Sequence, residues 1–373
     1  MIDRIAIHNF KCFREQSFEL KKLNIFCGAN GVGKSSCIQA FLIAREVFQC
    51  ADKPIYVKLN NLFKHDLGQV YDVFHNAASN EQIRFVIQSG QDVISMNAPA
   101  DSFRADEHFL EFDEMPLKRI ACFSSRETGF FSYLSPERDG PRDIQQIQSA
   151  PLNCLQIGTS GEYTAEVLAT YERSSVRKGL QFVEKLDAKL PEQLQPQLER
   201  WASEIFPGIQ LKPVTSPGTN AVGIRIKKGG LEAEWLKPTN IGFGISYCLP
   251  MLLGGLLGRE DGLFIIDSPE AHLHPASQSK IAGFLCQVAN ANTQIIVETH
   301  SDHILNGVRL AVAHGVIASD DVRIHYLFHG EAGVQCEQIS IKKDGSLSKW
   351  PAGFFDQTEK DLAEIVKSKR RTI

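Results

Sequence analysis

The stretch "GANGVGKS", residues 28–35, decides the fold of this chain. It matches the pattern G-x-x-x-x-G-K-[ST] in full. The segment before it, "LNIFCG", is typical of a strand, and the segment after it, "SSCIQAFLIAREVF", has the apolar spacing of a helix. Glycines allow such a loop to wrap around phosphate groups, toward which its backbone N–H groups and the helix N-terminus then point. The sequence therefore predicts a phosphate-binding loop between a strand and a helix.

The residues of this loop are the first predicted nucleotide-binding residues. Lys34 is expected to reach the β- and γ-phosphates, and the Ser35 hydroxyl to ligate Mg²⁺. A chance match in an ordinary strand-turn-helix is the alternative, and the matching flanks count against it. ATP and Mg²⁺ are thus the predicted cofactors. The other binding candidates in the loop are Gly28, Asn30, Gly31, Gly33 and Ser36.

The segment "LFIIDSPEAHLHP", residues 263–275, carries the second signal. Four apolar residues lead into Asp267, as they do where a strand delivers a carboxylate to a nucleotide-bound metal, so Asp267 is the second predicted Mg²⁺ ligand. Many ATPases have a glutamate immediately afterwards to activate the attacking water. Here the next residue is Ser268, whose hydroxyl cannot act as a general base near neutral pH. The nearest glutamate is Glu270.

Three outcomes follow from that departure, and all stay open at this point. Glu270 fills the role of the missing glutamate, or His300 positions the water with slow turnover, or the site binds ATP and hardly hydrolyses it. The predicted catalytic residues are accordingly Asp267, Glu270 and His300.

His300 comes from the segment "VETHS", residues 297–301, just past another apolar strand. Strand ends at one edge of a parallel sheet are where nucleotide sites form, which favours a γ-phosphate sensor. A histidine in a surface loop is the alternative. The histidines of this region also suggest a zinc site. We disfavour it because no set of cysteines or carboxylates completes the usual zinc coordination. Those histidines are His272, His274, His300 and His303.

A second glycine-rich loop, "TNIGFGIS", residues 239–246, opens a helix. Gly242, Gly244 and Ser246 offer backbone and hydroxyl donors in another anion-binding design, although a tight turn is the usual alternative. The loop has no obvious task within its own phosphate site. It does have one if it covers a nucleotide held by another copy of the chain.

Composition and charge limit the remaining possibilities. The chain has 373 residues, which exceeds one ordinary core, and a formal net charge of −4, so any DNA contact would depend on local basic runs such as "RIKK" or "KSKRR". Nine cysteines without a C-x-x-C pair fit a reducing cytosol. The start lacks a signal peptide, and the longest apolar stretch is too short to span a bilayer. We therefore expect a cytoplasmic protein without membrane attachment.

Strands alternate with helices after residue 241, which predicts an α/β fold with a largely parallel, covered sheet. Residues 1–50 and 236–330 are expected to form a discontinuous core. Residues 51–235 would be an inserted β lobe and helical subdomain, and 331–373 C-terminal strands and a helix. Within the insertion, "GEYTAEVLATYER" and "GLQFVEKLDAKL" have helical patterns.

Taken together, these motifs resemble the ABC-type ATPase heads of the RecF/SMC/OLD superfamily, in the order P-loop, long insertion, signature loop, Walker B and switch histidine. More narrowly, the chain is similar to a bacterial group of stand-alone ATPases with an uncharacterised C-terminal domain. The resemblance implies an ABC-type P-loop head with a mostly parallel core sheet, an antiparallel β lobe and a helical insertion. The blocks that carry it are "YLSPERDGPR", "GTSGEYTAEVL", "IGFGISYCLPMLL", "SPEAHLHPASQ", "ETHSDHILNGVRLAV" and "WPAGFFDQTEKDL".

The resemblance also implies roles for particular residues. Two ATP molecules would lie in a head-to-tail dimer, each between one P-loop and the signature loop "GFGIS" of the other copy, which departs from L-S-G-G-Q. "LGQVYD" matches the Q-loop region, making Gln69 a candidate γ-phosphate sensor. "PEAHLHP" matches the D-loop that joins the two sites. Arg138 and Arg142 lie in a family-like block, and their contacts stay open.

Such heads usually control an effector. No spaced acidic residues of a Toprim nuclease and no H-N-H pattern occur here, so we expect a separate effector protein, by resemblance a nuclease in anti-phage defence or DNA processing, as in Septu-type systems. Weak basal hydrolysis, raised by a partner or DNA, is the prediction. A catalytically silent ATP-bound scaffold is the alternative. A transporter ATPase or a P-loop kinase ranks lower, because the signature, the Walker B pair and the motif spacing do not fit.

Overall fold

The computed structural model describes residues 1–50, 54–78, 80–99, 107–114, 116, 118–123, 129–148, 150–182, 190–215, 218–219, 221–230, 232–331, 333–351 and 353–371. Its strands are β1 Arg4–Phe10, β2 Phe13–Glu19, β3 Leu23–Gly28, β4 Ile55–Lys58, β5 Gln82–Ser89, β6 Asp92–Pro99, β7 Phe109–Phe112, β8 Phe131–Leu134, β9 Gln145–Gln146, β10 Ile209–Thr215, β11 Ala221–Lys228, β12 Leu263–Asp267, β13 Gln294–Glu298, β14 Val322–Gly330 and β15 Gly333–Ile339. Its helices are α1 Lys34–Gln49, α2 Val70–Val73, α3 Thr164–Tyr171, α4 Leu194–Ile205, α5 Phe243–Leu256, α6 Pro275–Asn290, α7 Asp302–Ala313 and α8 Gln357–Arg371.

The central sheet has six strands in the order β15-β14-β3-β13-β12-β8. The neighbours from β14 to β8 are parallel, and only β15 runs antiparallel to its partner. The two strands that follow the P-loop strand β3 in this order, β13 and β12, read "QIIVE" and "LFIID", and every residue in them is buried. Continuous burial is typical of parallel strands covered on both faces. The predicted mostly parallel α/β sheet is confirmed.

Two hydrophobic cores cover the two faces of this sheet. The residues of β12 contribute alternately to the two cores, because successive side chains of a strand point to opposite faces. Phe264 and Ile266 join the core that contains helices α5, α6 and α7. Leu263 and Ile265 join the core that contains α1 and the β lobe. The P-loop strand and its helix are thus held between two layers, and the loop that joins them emerges at the carboxyl edge of the sheet.

The antiparallel lobe is also present. Strands β2-β1-β5-β6 form one antiparallel sheet, and β10-β11-β9 form another. Helix α3 lies within the predicted "GEYTAEVLATYER" helix. The other predicted helix, residues 179–190, falls largely on residues 183–189, which lie outside the described residues.

The predicted boundary of the insertion needs one correction. Strand β8 lies inside the range 51–235, yet it pairs in parallel with β12 and forms an edge of the central sheet. Strand β15, from the range 331–373, pairs with β14 at the opposite edge. Edge strands join a sheet through backbone hydrogen bonds rather than through a side-chain pattern, so four-residue β8 carried no sequence signal of its membership.

Among the helices of the described residues, none combines the length and the apolar composition that crossing a lipid bilayer requires.

Candidate functional site

The P-loop follows β3 and leads directly into α1. Gly28 has a φ of 140° and Gly33 a φ of 92°, both in the region that favours glycine. A Cβ at Gly28 would lie 2.1 Å from the carbonyl oxygen of Leu327, and one at Gly33 would lie 2.3 Å from the Sγ atom of Cys12. Atoms from other segments of the same chain therefore leave no room for a side chain at Gly28 or at Gly33. The backbone forms the narrow loop that the motif predicts, ahead of a 16-residue helix.

Lys34 is the first residue of α1 and is only 4% exposed. Its Nζ atom donates hydrogen bonds to the carbonyl oxygens of Gly28, at 3.2 Å, and Ala29, at 2.8 Å. Burial lowers the pKa of the ammonium group, against the attraction of neighbouring carboxylates. The ammonium thus lies over the loop, where it can exchange backbone carbonyls for phosphate oxygens.

Two buried carboxylates stand beside the loop. Asp267 ends β12 and Glu298 ends β13, and the two residues are partners in the parallel register. They are 5% and 4% exposed. Burial raises the pKa of Asp267 to about 6 and that of Glu298 to about 8, and for Glu298 the charge of Asp267 adds to the effect. The Ser35 hydroxyl donates to Oε1 of Glu298 at 3.2 Å.

Glu298 is the residue that sequence reasoning missed. It sits two positions before His300 in "VETHS", and attention went to the histidine. One signal was available: Glu298 follows three apolar residues at the end of a strand. Every residue of this strand is buried, so the glutamate must lie among buried groups.

The turn after β12 is held by Arg138. Its Nη2 atom donates to the carbonyl oxygens of Asp267, at 2.5 Å, and Ser268, at 3.1 Å. Ser268 has a φ of 49°, and its hydroxyl donates to Oδ1 of Asp267 at 2.9 Å. Ser268 therefore orients the aspartate. The open question about the two arginines is resolved, since Arg142 instead forms an exposed ion pair with Asp139 at 3.3 Å.

The structure brings Glu270 and His300 together. The Oε1 atom of Glu270 accepts a hydrogen bond from the His300 backbone N–H at 2.8 Å, and Oε2 accepts one from the Thr299 hydroxyl at 2.8 Å. Desolvation, followed by the charge of Lys34, lowers the pKa of the His300 imidazole. His300 is therefore near the P-loop lysine, and its backbone is tied to the turn that follows Walker B.

Gln69 takes a different position. It caps the short helix α2, where its side chain accepts from the backbone of Asp72 and its own N–H donates to the Asp72 carboxylate at 2.8 Å. A cleft of about 660 Å³ runs between the P-loop and this segment. The residues that line it on this side are Tyr71, Asp72, Phe74, His75 and Asn76. Gln69 is not among them, so its γ-phosphate role stays a prediction.

The signature loop lies apart from this cleft. Gly242 caps α5 with open space where a side chain would be, and Phe243 is 54% exposed. His272, in the predicted D-loop, packs against Phe243 and Tyr247 with ring centroids 5.5 Å and 4.4 Å apart. A Cβ at Gly244 would lie 2.9 Å from the His272 carbonyl oxygen. The signature loop and the D-loop therefore form one surface.

The third residue of the predicted signature set, Ser246, is partly buried in the first turn of α5. It lines a small cavity with Asp139 and Arg142. None of the signature residues lines the P-loop cleft of its own chain.

The basic run "RIKK" lies in β11 and is less exposed than its charge suggests. Lys227 is 7% exposed, and its ammonium lies 6.0 Å from the centroid of the Trp235 ring. The run is therefore partly built into the sheet, and a DNA contact there stays a prediction.

The donor set beside the P-loop fits Mg²⁺. Ser35, Asp267 and Glu298 offer only oxygen atoms, which this ion prefers. The Oε2 atom of Glu298 is buried and has no hydrogen-bond partner among the residues that the structure describes, so the site holds an unsatisfied oxygen that a cation would satisfy.

Comparison with known proteins agrees with this geometry. Residues 1–134 match a family described as "AAA ATPase domain", and residues 166–306 match "AAA domain, putative AbiEii toxin, Type IV TA system". Residues 317–365 match a "Protein of unknown function (DUF3696)". An "OLD nuclease" from Thermus scotoductus (strain ATCC 700910 / SA-01) is 22% identical over 354 residues. That match covers 81% of this chain and 59% of the relative, so the chain spans well under two thirds of the relative's length.

Two solved structures share the fold. A structure of the SmcHead bound to the C-winged helix domain of ScpA has a TM-score of 0.51 at 13% identity, covering 92% of this chain and 98% of that one. A Smc head domain with an extended coiled coil, bound to the C-terminal domain of ScpA derived from Pyrococcus furiosus, has a TM-score of 0.51 at 11% identity, covering 98% and 99%. Fold and site together define a P-loop ATPase head of the ABC type. The two ATPase-domain matches, the similarity to an OLD nuclease and the shared SMC-head fold support the predicted resemblance to ATPases of the RecF/SMC/OLD type.

Proposed function

We propose that this ATPase binds ATP with Mg²⁺, dimerises around the nucleotide and hydrolyses it slowly to control an effector protein. One observation carries the proposal. The buried side chains of Lys34 and Asp267 lie with the exposed Ser35 at the carboxyl edge of the central sheet, beside a loop shaped for phosphate. Buried charges of both signs at one sheet edge are costly unless a ligand engages them, which is why such clusters mark functional sites.

The proposed roles follow from the contacts. The P-loop N–H groups and Lys34 hold the phosphates, and Ser35 and Asp267 hold Mg²⁺. The bound ion neutralises charge that develops on the phosphate oxygens. The charge of Lys34 acts on the His300 imidazole, which supports a role for His300 in positioning water or contacting the γ-phosphate.

Slow turnover is proposed because no free carboxylate stands at the usual position. Ser268 orients Asp267 and cannot accept a proton from water near neutral pH. Each carboxylate oxygen of Glu270 already accepts one hydrogen bond, from the Thr299 hydroxyl or from the His300 backbone N–H, so the carboxylate is engaged with the switch segment. We therefore propose that Glu270 positions the His300 segment, and that its role as the activating base is the less favoured alternative.

Dimerisation is supported by the position of the signature loop. Gly242 and Phe243 face open space, and none of the predicted signature residues lines the P-loop cleft of the same chain. A helix N-terminus with free backbone donors fits a phosphate supplied by a second copy. The D-loop residue His272 packs on this loop, which gives the two sites of such a dimer a direct physical link.

We propose a nuclease as the effector, in anti-phage defence or DNA processing. The support is the similarity to an OLD nuclease, and the chain spans 59% of that protein. A silent ATP-bound scaffold that holds its effector inactive is the second candidate, and Ser268 is the observation that favours it.

One experiment separates the two candidates. Phosphate release and the mass of the particle in solution are measured with ATP and Mg²⁺, with and without DNA. We expect ATP-dependent dimers and slow release in the wild type, no nucleotide binding in Lys34→Ala, and ATP-bound monomers in Ser246→Arg. Binding without release under every condition would support the scaffold. Absence of nucleotide binding in the wild type would overturn both.

A further inference from the structure

We propose that Glu298 is a direct ligand of the Mg²⁺ that accompanies ATP, beside Ser35 and Asp267. This inference rests on the proposed function, because it names a further residue of the same site. None of the sequence motifs gives Glu298 a role.

The position of Glu298 comes from the topology of the sheet. Strand β13 lies between the P-loop strand β3 and the Walker B strand β12. In the parallel register Glu298 is the partner of Asp267 on one side and of Phe26, two residues before the P-loop begins, on the other. The last residue of β13 is therefore forced into the space between the loop and the aspartate.

The contacts of its carboxylate are incomplete. Oε1 accepts a hydrogen bond from the Ser35 hydroxyl, whereas Oε2 is buried and has no hydrogen-bond partner within the described part of the chain. The Lys34 ammonium lies 3.9 Å from Oε1, beyond hydrogen-bond distance, and donates to loop carbonyls instead. A buried carboxylate oxygen with no donor is costly. The ion pair between Lys34 and Oε1 therefore leaves Oε2 without a donor among the described residues.

The distance to Ser35 fits shared coordination. Mg²⁺ binds its oxygen ligands at about 2.1 Å in an octahedron, in which adjacent ligands are about 3 Å apart. The Ser35 Oγ and Glu298 Oε1 atoms are 3.2 Å apart. Metal binding would replace the hydrogen bond from the Ser35 hydroxyl to Oε1. At this separation, both oxygens could become metal ligands with little movement. Asp267, fixed through Ser268 and Arg138, supplies the second carboxylate.

A divalent cation also resolves the charge balance. Asp267 and Glu298 are neighbouring buried carboxylates, and the Arg138 guanidinium donates to backbone carbonyls in this turn. Two like charges at adjacent strand ends repel each other in a medium that screens poorly. Mg²⁺ bound between them converts this repulsion into attraction.

The test uses Mn²⁺ as a probe for Mg²⁺ on the full chain. The affinity for Mn²⁺ is measured by electron paramagnetic resonance, alone and with the non-hydrolysable analogue adenylyl imidodiphosphate. Glu298→Gln keeps the shape and removes the charge, and Glu298→Asp keeps the charge and shortens the reach. Glu166→Gln is the matched control, since Glu166 is also a buried glutamate but lies on α3, where it accepts from the Gln148 backbone.

We expect Glu298→Gln to weaken Mn²⁺ binding by about 10–100-fold, Glu298→Asp by less, and the control not at all. Binding of a fluorescent ATP analogue in the presence of a chelator is expected to persist in all variants. In metal-free buffer at pH 8.5, Glu298→Gln is expected to melt at or above the wild-type temperature, because the repulsion between two ionised carboxylates has been removed.

Unchanged Mn²⁺ affinity in both Glu298 variants would overturn the inference and leave the proposed ATPase intact. A Glu298→Gln protein that melts well below the wild type in metal-free buffer would also overturn it, in favour of a structural glutamate. Failure of the wild type to bind nucleotide would refute the proposed function instead, and the titration with Mn²⁺ alone would still decide the ligand question.

Discussion

The carboxylate of Glu270 accepts a hydrogen bond from the backbone N–H of His300 at 2.8 Å. The two residues are thirty positions apart in the sequence, and the contact joins the turn after the Walker B strand to the switch segment after the next strand of the sheet. The Thr299 hydroxyl, also bound to Glu270, is buried completely. Whatever moves His300 during a nucleotide cycle must therefore also move or break this contact.

Two substitutions at Glu270 distinguish positioning from proton abstraction. In Glu270→Gln the amide oxygen can still accept from the His300 N–H, while its NH₂ group can donate to the Thr299 hydroxyl. Glu270→Ala removes both contacts. We expect ATP turnover to stay within about threefold of the wild type in the first variant and to fall at least about tenfold in the second, as lost positioning predicts.

The measurement is steady-state phosphate release with Glu234→Gln, an exposed glutamate, as the control. A Glu270→Gln variant as inactive as Glu270→Ala would show that the carboxylate itself activates water.

The second prediction concerns Arg138. Replacing it with methionine leaves the carbonyl oxygens of Asp267 and Ser268 without their donor, which we expect to cost about 2 kcal/mol in the free energy of unfolding. Arg142→Met removes only an exposed ion pair with Asp139, worth roughly 0–1 kcal/mol. Urea unfolding of both variants measures the difference, and equal losses would contradict the assignment.

The third prediction compares two glycines of the P-loop. In Gly28→Ala the new Cβ would meet the Leu327 carbonyl oxygen, and strand β14 cannot withdraw because it pairs with β3 at this position. We expect a loss of stability of at least about 3 kcal/mol. Gly31 has a φ of 77° with nothing near its Cβ position, so Gly31→Ala should cost only about 1–2 kcal/mol. Guanidinium unfolding curves compare them; a similar cost at both sites would refute the steric explanation.

The fourth prediction concerns pH. Because burial raises the pKa of Asp267 to about 6 and of Glu298 to about 8, the folded state keeps protons that the unfolded state has already released. Metal-free protein should therefore lose stability as the pH rises from about 4, the ordinary pKa of these side chains, to about 8, and no further above that. Glu298→Gln removes the larger share of this loss.

Urea unfolding at pH 5.5 and 8.5 with a chelator tests this. The stability lost between the two values should be smaller in Glu298→Gln than in the wild type by an amount on the order of a few kcal/mol, and saturating Mg²⁺ should reduce the wild-type loss. Equal losses in both proteins would show that Glu298 is ionised throughout this range.

Much of the site follows from local patterns. The P-loop, with Lys34 and Ser35, is contiguous in sequence and requires only the strand before it and the helix after it. Asp267 was predictable because four apolar residues precede it on a buried strand. The same local reasoning predicted that the signature loop has no role in the phosphate site of its own chain. These features depend on short-range geometry and burial, which residue order encodes directly.

Other features depend on pairing between distant strands. Glu298 and Asp267 are neighbours in the sheet although more than thirty positions separate them in the sequence. More than a hundred positions separate β8 from its partner β12, and the same is true of Arg138 and the Walker B turn that it contacts. Gln69 shows a different limit, because its cap of α2 is a local contact with Asp72, and the sequence did not predict the short helix α2.

The sequence by itself thus determined which groups are present: a P-loop motif with its ammonium group and hydroxyl, and an aspartate at a strand end, with serine where the usual glutamate would stand. Tertiary structure alone decided what surrounds that serine. The parallel register of β12 and β13 places Glu298 beside Asp267, and backbone hydrogen bonds between strands set that register without regard to the side chains at their ends.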